Sequence, residues 1–145
     1  MTTETVHSIL AAETEKPSPI ERILIVDDEV ATLFAYKKLI EREGIGVDVC
    51  ESLDEAIEQI KSRRYSAIIA DLRMSGTDNA DGLEVLRAAR EEQVDAKVII
   101  VTGYGNKETK QTALAMGAAY YFEKPVFPSV ILNVLNLPNC TADGK

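Results

Sequence analysis

The sequence predicts an α/β fold in three layers, a doubly wound, five-stranded parallel sheet with helices on both faces. Three observations predict it. Short continuous apolar runs, the form taken by a strand covered on both faces, recur along the chain. Segments with apolar residues at helical spacing separate these runs, the alternation expected of a parallel sheet. At 145 residues the chain also has the length of one domain with a substantial core.

Residues 1–21 read as a polar leader, with Pro17-Ser18-Pro19 just before the first apolar run. Within it Val6, Ile9 and Leu10 could form a short helical docking face, set against the plainer reading of a disordered tail. Ile23 to Val26 is the first strand, running into Asp27-Asp28-Glu29. Leu33, Tyr36, Leu39 and Ile40 then recur at helical spacing, predicting a helix over 29–43 that Gly44 stops. Val47 and Val49 alternate with polar residues as a second strand. Ser52 caps a helix through about Arg63, with Glu55 placed as in a capping box and Leu53, Ala56, Ile57 and Ile60 as its buried stripe.

Ser66 to Ala70 is the third strand, and it ends at Asp71. A polar, turn-rich loop runs from Leu72 to Gly82. The next helix has Leu83, Val85, Leu86 and Ala89 as its apolar positions. Lys97 to Val101 is the fourth strand, ending in Thr102-Gly103, and Lys107 to Met116 is a helix stopped by Gly117. Ala119 to Phe122 is the fifth strand, ending at Glu123-Lys124-Pro125, and a short last helix starts near Pro128. The folded part is thus 22–137, with 138–145 as a tail.

Charge and cysteine usage narrow the function. Asp plus Glu number 24 against 16 Lys plus Arg, a formal charge of −8. That argues against a nucleic-acid or anionic-membrane surface, which needs clustered basic residues. Cys50 and Cys140 match no metal spacing, and two free thiols in a reducing cytoplasm are favoured over a disulfide. The one histidine, His7, lies in the leader, so a Ser-His-Asp triad or an internal histidine metal cluster is excluded from the folded part. No apolar run approaches the roughly 20 residues of a membrane helix, and the start lacks the pattern of a signal peptide. The expectation is a cytoplasmic protein.

Right-handed crossovers place every strand's carboxyl end on one edge, and such edges are where open α/β sheets bind ligands. Just beyond the strand ends stand Asp27 and Asp28, Asp71, Thr102 and Lys124. Carboxylates gathered there repel; a pair ~4 Å apart at an effective dielectric near 20 costs about 4 kcal/mol. Protonation or a cation must relieve that. A hard divalent ion with oxygen ligands suits them, magnesium above all, with manganese as a substitute. Thr102 offers a hydroxyl and Lys124 a mobile positive charge, and these are what phosphoryl oxygens require. The chemical reading is Asp71 as a nucleophile or phosphoryl acceptor beside a divalent cation. Taken singly, each of these residues is better explained as a cap or turn former; taken together, at successive strand ends, they are not.

Val26-Asp27-Asp28-Glu29, Asp71, Thr102-Gly103 and Lys124-Pro125 resemble the receiver domain of two-component response regulators, over about residues 22–137. The resemblance implies a (βα)5, flavodoxin-like sheet in the order 2-1-3-4-5. It implies that Asp71 accepts a phosphoryl group from a sensor histidine kinase or a phosphotransfer protein. Asp28, Asp71 and the backbone carbonyl of Arg73 would bind Mg²⁺ directly, and Asp27 through water. Lys124 and Thr102 would contact the phosphoryl oxygens. Tyr121 matches the family's switch aromatic, which turns inward as Thr102 moves. The Lys124-Pro125 bond is often cis in the family. Arg73 and Tyr104 occupy the two positions that tune phosphoryl lifetime, and here their bulk is expected to restrict the attacking water.

The sequence departs from the family pattern in places. Ser75 follows Met74 where proline is usual, and the loop before Asp81-Gly82 is about three residues longer. Residues 76–80 could be an inserted contact or lid, or a tolerated surface insertion. From Val130 to Leu137 the chain is apolar except for Asn133 and Asn136, which leaves Val130 or Leu137 facing outward. A homodimer or partner surface on this helix is one expectation, a short buried helix the other. Too little chain follows for an output domain, so the leading reading is a single-domain phospho-switch acting on a downstream protein the sequence does not name. Two alternatives stand beside it: a Mg²⁺-dependent phosphohydrolase with an aspartyl-phosphate intermediate, and a degenerate receiver that binds partners without phosphorylation.

Overall fold

The three central strands of this chain are apolar runs that need cover on both faces, and the structure supplies it. The structure is a computed structural model and describes residues 21–73 and 80–138. In chain order the elements are β1 (Glu21–Val26), α1 (Val30–Ile40), β2 (Ile45–Cys50), α2 (Leu53–Ser62), β3 (Ala67–Ala70), α3 (Ala80–Glu92), β4 (Lys97–Thr102), α4 (Lys107–Ala115), β5 (Tyr120–Glu123) and α5 (Pro128–Val134). The strands form one parallel sheet in the order β2-β1-β3-β4-β5. The α/β class read from the apolar runs and the order implied by the resemblance both hold. Val6, His7, Ile9, Leu10, Met74, Ser75, the 76–79 stretch and Cys140 lie outside the described residues.

Strand alternation divides the core in two. On one face Leu24, Val26, Ile68, Ala70, Val98, Ile100 and Tyr121 pack with Ala56 and Ile60 of α2, Val85, Leu86 and Ala89 of α3, and Ala113 of α4. On the other, Ile23, Ile25, Ile69, Ile99 and Val101 pack with Leu33 and Ile40 of α1 and Ile131, Leu132 and Val134 of α5. Cys50 is buried in the first face, its thiol pushed up to about 12 by burial and by the Glu55 and Asp48 charges.

Boundaries moved where local chemistry overrode periodicity. α1 stops at Ile40, not Glu43, because Arg42 and Ile45 close a tight antiparallel bridge around Gly44 at φ 87°. The Arg42 guanidinium caps the helix end, donating to the Ile40 and Leu39 carbonyls and to Pro138. Ser52 accepts from the Glu55 N–H at 3.3 Å, but Glu55 reaches back one residue further than a capping box requires, to the Glu51 N–H. α3 begins at Ala80, ahead of the Asp81-Gly82 pair that the sequence predicts as loop.

The last helix ends earlier than its apolar pattern suggests. Asn136 takes the left-handed conformation at φ 61°, and the Leu137 N–H returns to the Leu132 carbonyl at 2.9 Å. Such a turn folds the following hydrophobe back onto the helix. Leu137 therefore packs on the α1–α5 side of the core instead of facing outward, and Val130 is half-buried.

Candidate functional site

Register builds the site. Val26 of β1 pairs with Ala70 of β3, so Asp27 and Asp71 leave the sheet side by side. Thr102 of β4 pairs with Glu123 of β5, one residue ahead of Lys124. Backbone bonds extend past the strands: the Asp71 N–H donates to Val26 and the Lys124 N–H to Thr102. Continuing the alternation, Asp27, Asp71 and Lys124 share the parity of the α1–α5 face, whereas Thr102 and Tyr121 carry that of the α2–α3–α4 face.

The two aspartates are held in matching ways. One oxygen of each accepts the backbone N–H two residues on, Glu29 for Asp27 at 2.9 Å and Arg73 for Asp71 at 3.2 Å. The other oxygen of each accepts from Lys124 Nζ, at 3.0 Å in both cases. Both carboxylates are buried. Burial lifts the Asp27 pKa above the ordinary carboxylate value, against the opposing pull of the Glu29 N–H and of Lys124. For Lys124 burial alone would act downward, but its bonds to Asp27 and Asp71 and their charges outweigh it and raise the pKa. The ammonium is the local counterion of two buried carboxylates. The Lys124-Pro125 peptide is cis.

Above them opens a cleft of about 510 Å³ lined by Asp27, Asp28, Glu29, Asp71, Gly103, Tyr104 and Lys124. Four carboxylates there face one ammonium. Of the five strand-end residues singled out in the sequence, Thr102 is the one that does not line this cleft. It is fully buried, and its Oγ1 accepts the Tyr104 N–H at 3.1 Å. Asp28 lines the cleft from an exposed position. The Arg73 guanidinium lies 4.2 Å from the centroid of the Tyr104 ring, and its Nε is buried without a partner among the described residues. Tyr121 is buried beneath the β4–α4 connection. Burial, then the Glu123 and Asp71 charges, raises its pKa.

The sequence assigns no role in the site to Glu29, Gly82 or Gly105. The apolar spacing predicts a helix beginning at Glu29, but this residue sits at the N-cap of α1 with its carboxylate accepting from Thr32 at 2.8 Å. Gly82 lies so close to the chain after Asp71 that a Cβ there would meet Leu72 Cα at 2.4 Å and the Asp71 carbonyl at 2.5 Å. A glycine in the first turn of a helix is the available signal for such an approach.

The donor set fits a hydrated divalent ion better than a metal cage. Among the described residues no three ligating side chains already converge on one point. Mg²⁺ asks for less, one or two carboxylates with water in its other positions, and the excess of carboxylates over ammonium supplies that.

Comparison with known proteins places these features in a family. A family model described as "Response regulator receiver domain" matches residues 23–136. The acid tolerance regulatory protein ActR of Rhizobium meliloti is 36% identical over 125 residues, covering 86% of this chain and 63% of that protein. The chain thus spans under two thirds of that relative. Among solved structures, a CheY-like response regulator receiver domain protein from Methanospirillum hungatei superposes with a TM-score of 0.74 at 31% identity, covering 81% of this chain and 91% of that one. A response regulator protein from Burkholderia pseudomallei, solved with a phosphorylated aspartic acid, a calcium ion and citrate, gives a TM-score of 0.71 at 26% identity, covering 79% and 66%.

Proposed function

We propose, from the premise that this chain belongs to the response regulator receiver domain family, that Asp71 is its phosphoryl acceptor and that its phosphorylation by a sensor histidine kinase or phosphotransfer protein switches a partner-binding surface. The observation that carries the reading is the Lys124 ammonium, bonded at 3.0 Å to both Asp27 and Asp71 at the mouth of the acidic cleft. A lysine so placed sets its positive charge against the acceptor and stands ready to follow the new phosphoryl oxygens.

In the transfer, a carboxylate oxygen of Asp71 attacks the phosphorus of a phosphohistidine. The O–P bond of an acyl phosphate forms, the P–N bond breaks, and the released imidazole takes up a proton. The backbone N–H of Arg73 fixes the carboxylate during attack. Lys124 exchanges its bond to Asp71 for the phosphoryl oxygens, and Thr102 offers its hydroxyl from below. Asp28, Asp71 and the Arg73 carbonyl would hold Mg²⁺, with Asp27 reaching it through water. Magnesium bound there supplies positive charge to the phosphoryl oxygens. Arg73 and Tyr104, stacked at the rim, restrict the water that would hydrolyse the product. We place the protein in the cytoplasm, with a protein as its downstream target.

The test is intact mass after incubation with acetyl phosphate and Mg²⁺. One phosphoryl adduct, absent in Asp71→Asn and absent when Mg²⁺ is chelated, is the expected result. Failure to form it would leave a binding module that does not use phosphorylation, and steady turnover of phosphate esters would make the protein a phosphohydrolase.

A further inference from the structure

The β4–α4 connection contains two glycines with opposite surroundings. A Cβ added to Gly103 would meet nothing within 4 Å. One added to Gly105 would lie 1.6 Å from the Tyr121 hydroxyl oxygen, 2.8 Å from its ring carbon Cζ and 3.1 Å from Thr102 Cγ2. Gly105 is not among the glycines with positive φ, which are Gly44 and Gly117 among the described residues. A side chain at 105 is therefore acceptable to the backbone; its severe clash is with the ring, and Thr102 Cγ2 is the one other close contact.

The seat that this creates is well defined. The ring is buried in the cluster that includes Ala113 of α4 and Ala118. Its hydroxyl is buried with no hydrogen-bond partner among the described residues, so no polar contact ties the ring to its place. The atoms that shape the seat come from Gly105, Thr102 and the α4 side of the core. None belongs to Asp71.

We propose that Gly105 is a positioning residue for Tyr121: the missing side chain opens the inward seat of the ring, and the seat can be filled whatever the state of Asp71. A chain built this way has a basal population with the aromatic turned in, and phosphorylation adds to that population rather than creating it. That the inward ring marks the partner-binding state rests on the function proposed above. The steric claim does not.

Substitution at 105 should move the ring before it moves the backbone. The clashing atom is the far end of a side chain that loses no hydrogen bond on leaving. Gly105→Ala is thus expected to turn Tyr121 out and leave the fold intact.

The full chain labelled with ring-¹³C tyrosine carries five tyrosines, and the Tyr121 signal is assigned by its loss in Tyr121→Phe. A soluble gadolinium chelate then reports exposure by relaxation enhancement. In the parent and in Asp71→Asn alike, the Tyr121 enhancement should lie between that of buried Tyr65 and that of exposed Tyr104. In Gly105→Ala its enhancement should rise to that of exposed Tyr104. Protection that persists in Gly105→Ala, or that is absent in Asp71→Asn, overturns the proposal. A second pair guards against a general folding effect: in a Tyr121→Leu background, Gly105→Ala should leave the melting temperature unchanged. A drop there would assign the effect to the backbone and defeat the claim. None of these readings needs Asp71 to be phosphorylated, so they stand or fall apart from the proposed function.

Discussion

Arg73 and Tyr104 stack on one another although they belong to different loops, and their stack is a contact that spacing alone does not reveal. What the sequence offered was position: each stands two residues past a motif residue. What it withheld was the plane of the ring beneath the guanidinium at 4.2 Å. A cation–π contact at a partly exposed site stabilises by about 0.5–1 kcal/mol. If that energy keeps the rim closed over an acyl phosphate, removing either partner should speed its hydrolysis roughly two- to five-fold. The double variant should be no faster than the single ones, because each removes the same contact. Radiolabel decay after phosphorylation by acetyl phosphate measures this, and equal half-lives in the parent, Arg73→Ala and Tyr104→Ala would dismiss the idea. Asp27, Asp71 and Lys124 were easier to find, because charged residues at the ends of buried apolar runs need a reason to be there.

At the scale of elements, the apolar runs and the Ser52 cap were readable because a strand covered on both faces needs continuous hydrophobes and the free N–H groups of a helix start favour a side-chain acceptor. Gln93 was not readable. It follows three charged residues, Arg90, Glu91 and Glu92, at the end of α3 and looks like a solvent-facing glutamine, yet it is buried. Its carbonyl accepts the Tyr65 N–H at 2.7 Å, and its amide donates to the Ile60 carbonyl at 2.6 Å and to that of Arg63. One side chain thus ties the ends of α2 and α3 to the start of β3, the strand that delivers Asp71. Gln93→Leu keeps the bulk but strands a buried N–H and the last carbonyls of α2. An unsatisfied buried group costs about 1–3 kcal/mol. The urea midpoint of Gln93→Leu should fall accordingly, with an unchanged slope. A midpoint equal to the parent's would mean that water replaces the amide without loss.

Over the whole molecule, the site exists because two registers agree, β1 with β3 and β4 with β5, and paired parallel strands are joined by long crossovers, so no short stretch of sequence shows the pairing. Its charge has a consequence for stability. Asp27 has a folded-state pKa above its ordinary value, chiefly through burial. A carboxyl of that kind favours the fold while protonated, and the contribution is lost as pH rises through the interval between the two values. Above that interval the ionised group weighs against folding, and Asp27→Asn should remove this part of the pH slope. A divalent cation held in the cleft works the other way, because it binds the ionised carboxylates of the native state and not the unfolded chain. At ten times its dissociation constant it stabilises by about 1.4 kcal/mol, or roughly 5 °C in melting temperature for a domain of this size. The parent should show that rise with Mg²⁺ above neutral pH, lose it in acid as the carboxylates protonate, and lose it in Asp71→Asn. Thermal melts with Mg²⁺ against chelator measure all three, and an equal rise in Asp71→Asn would place the ion somewhere other than this cleft.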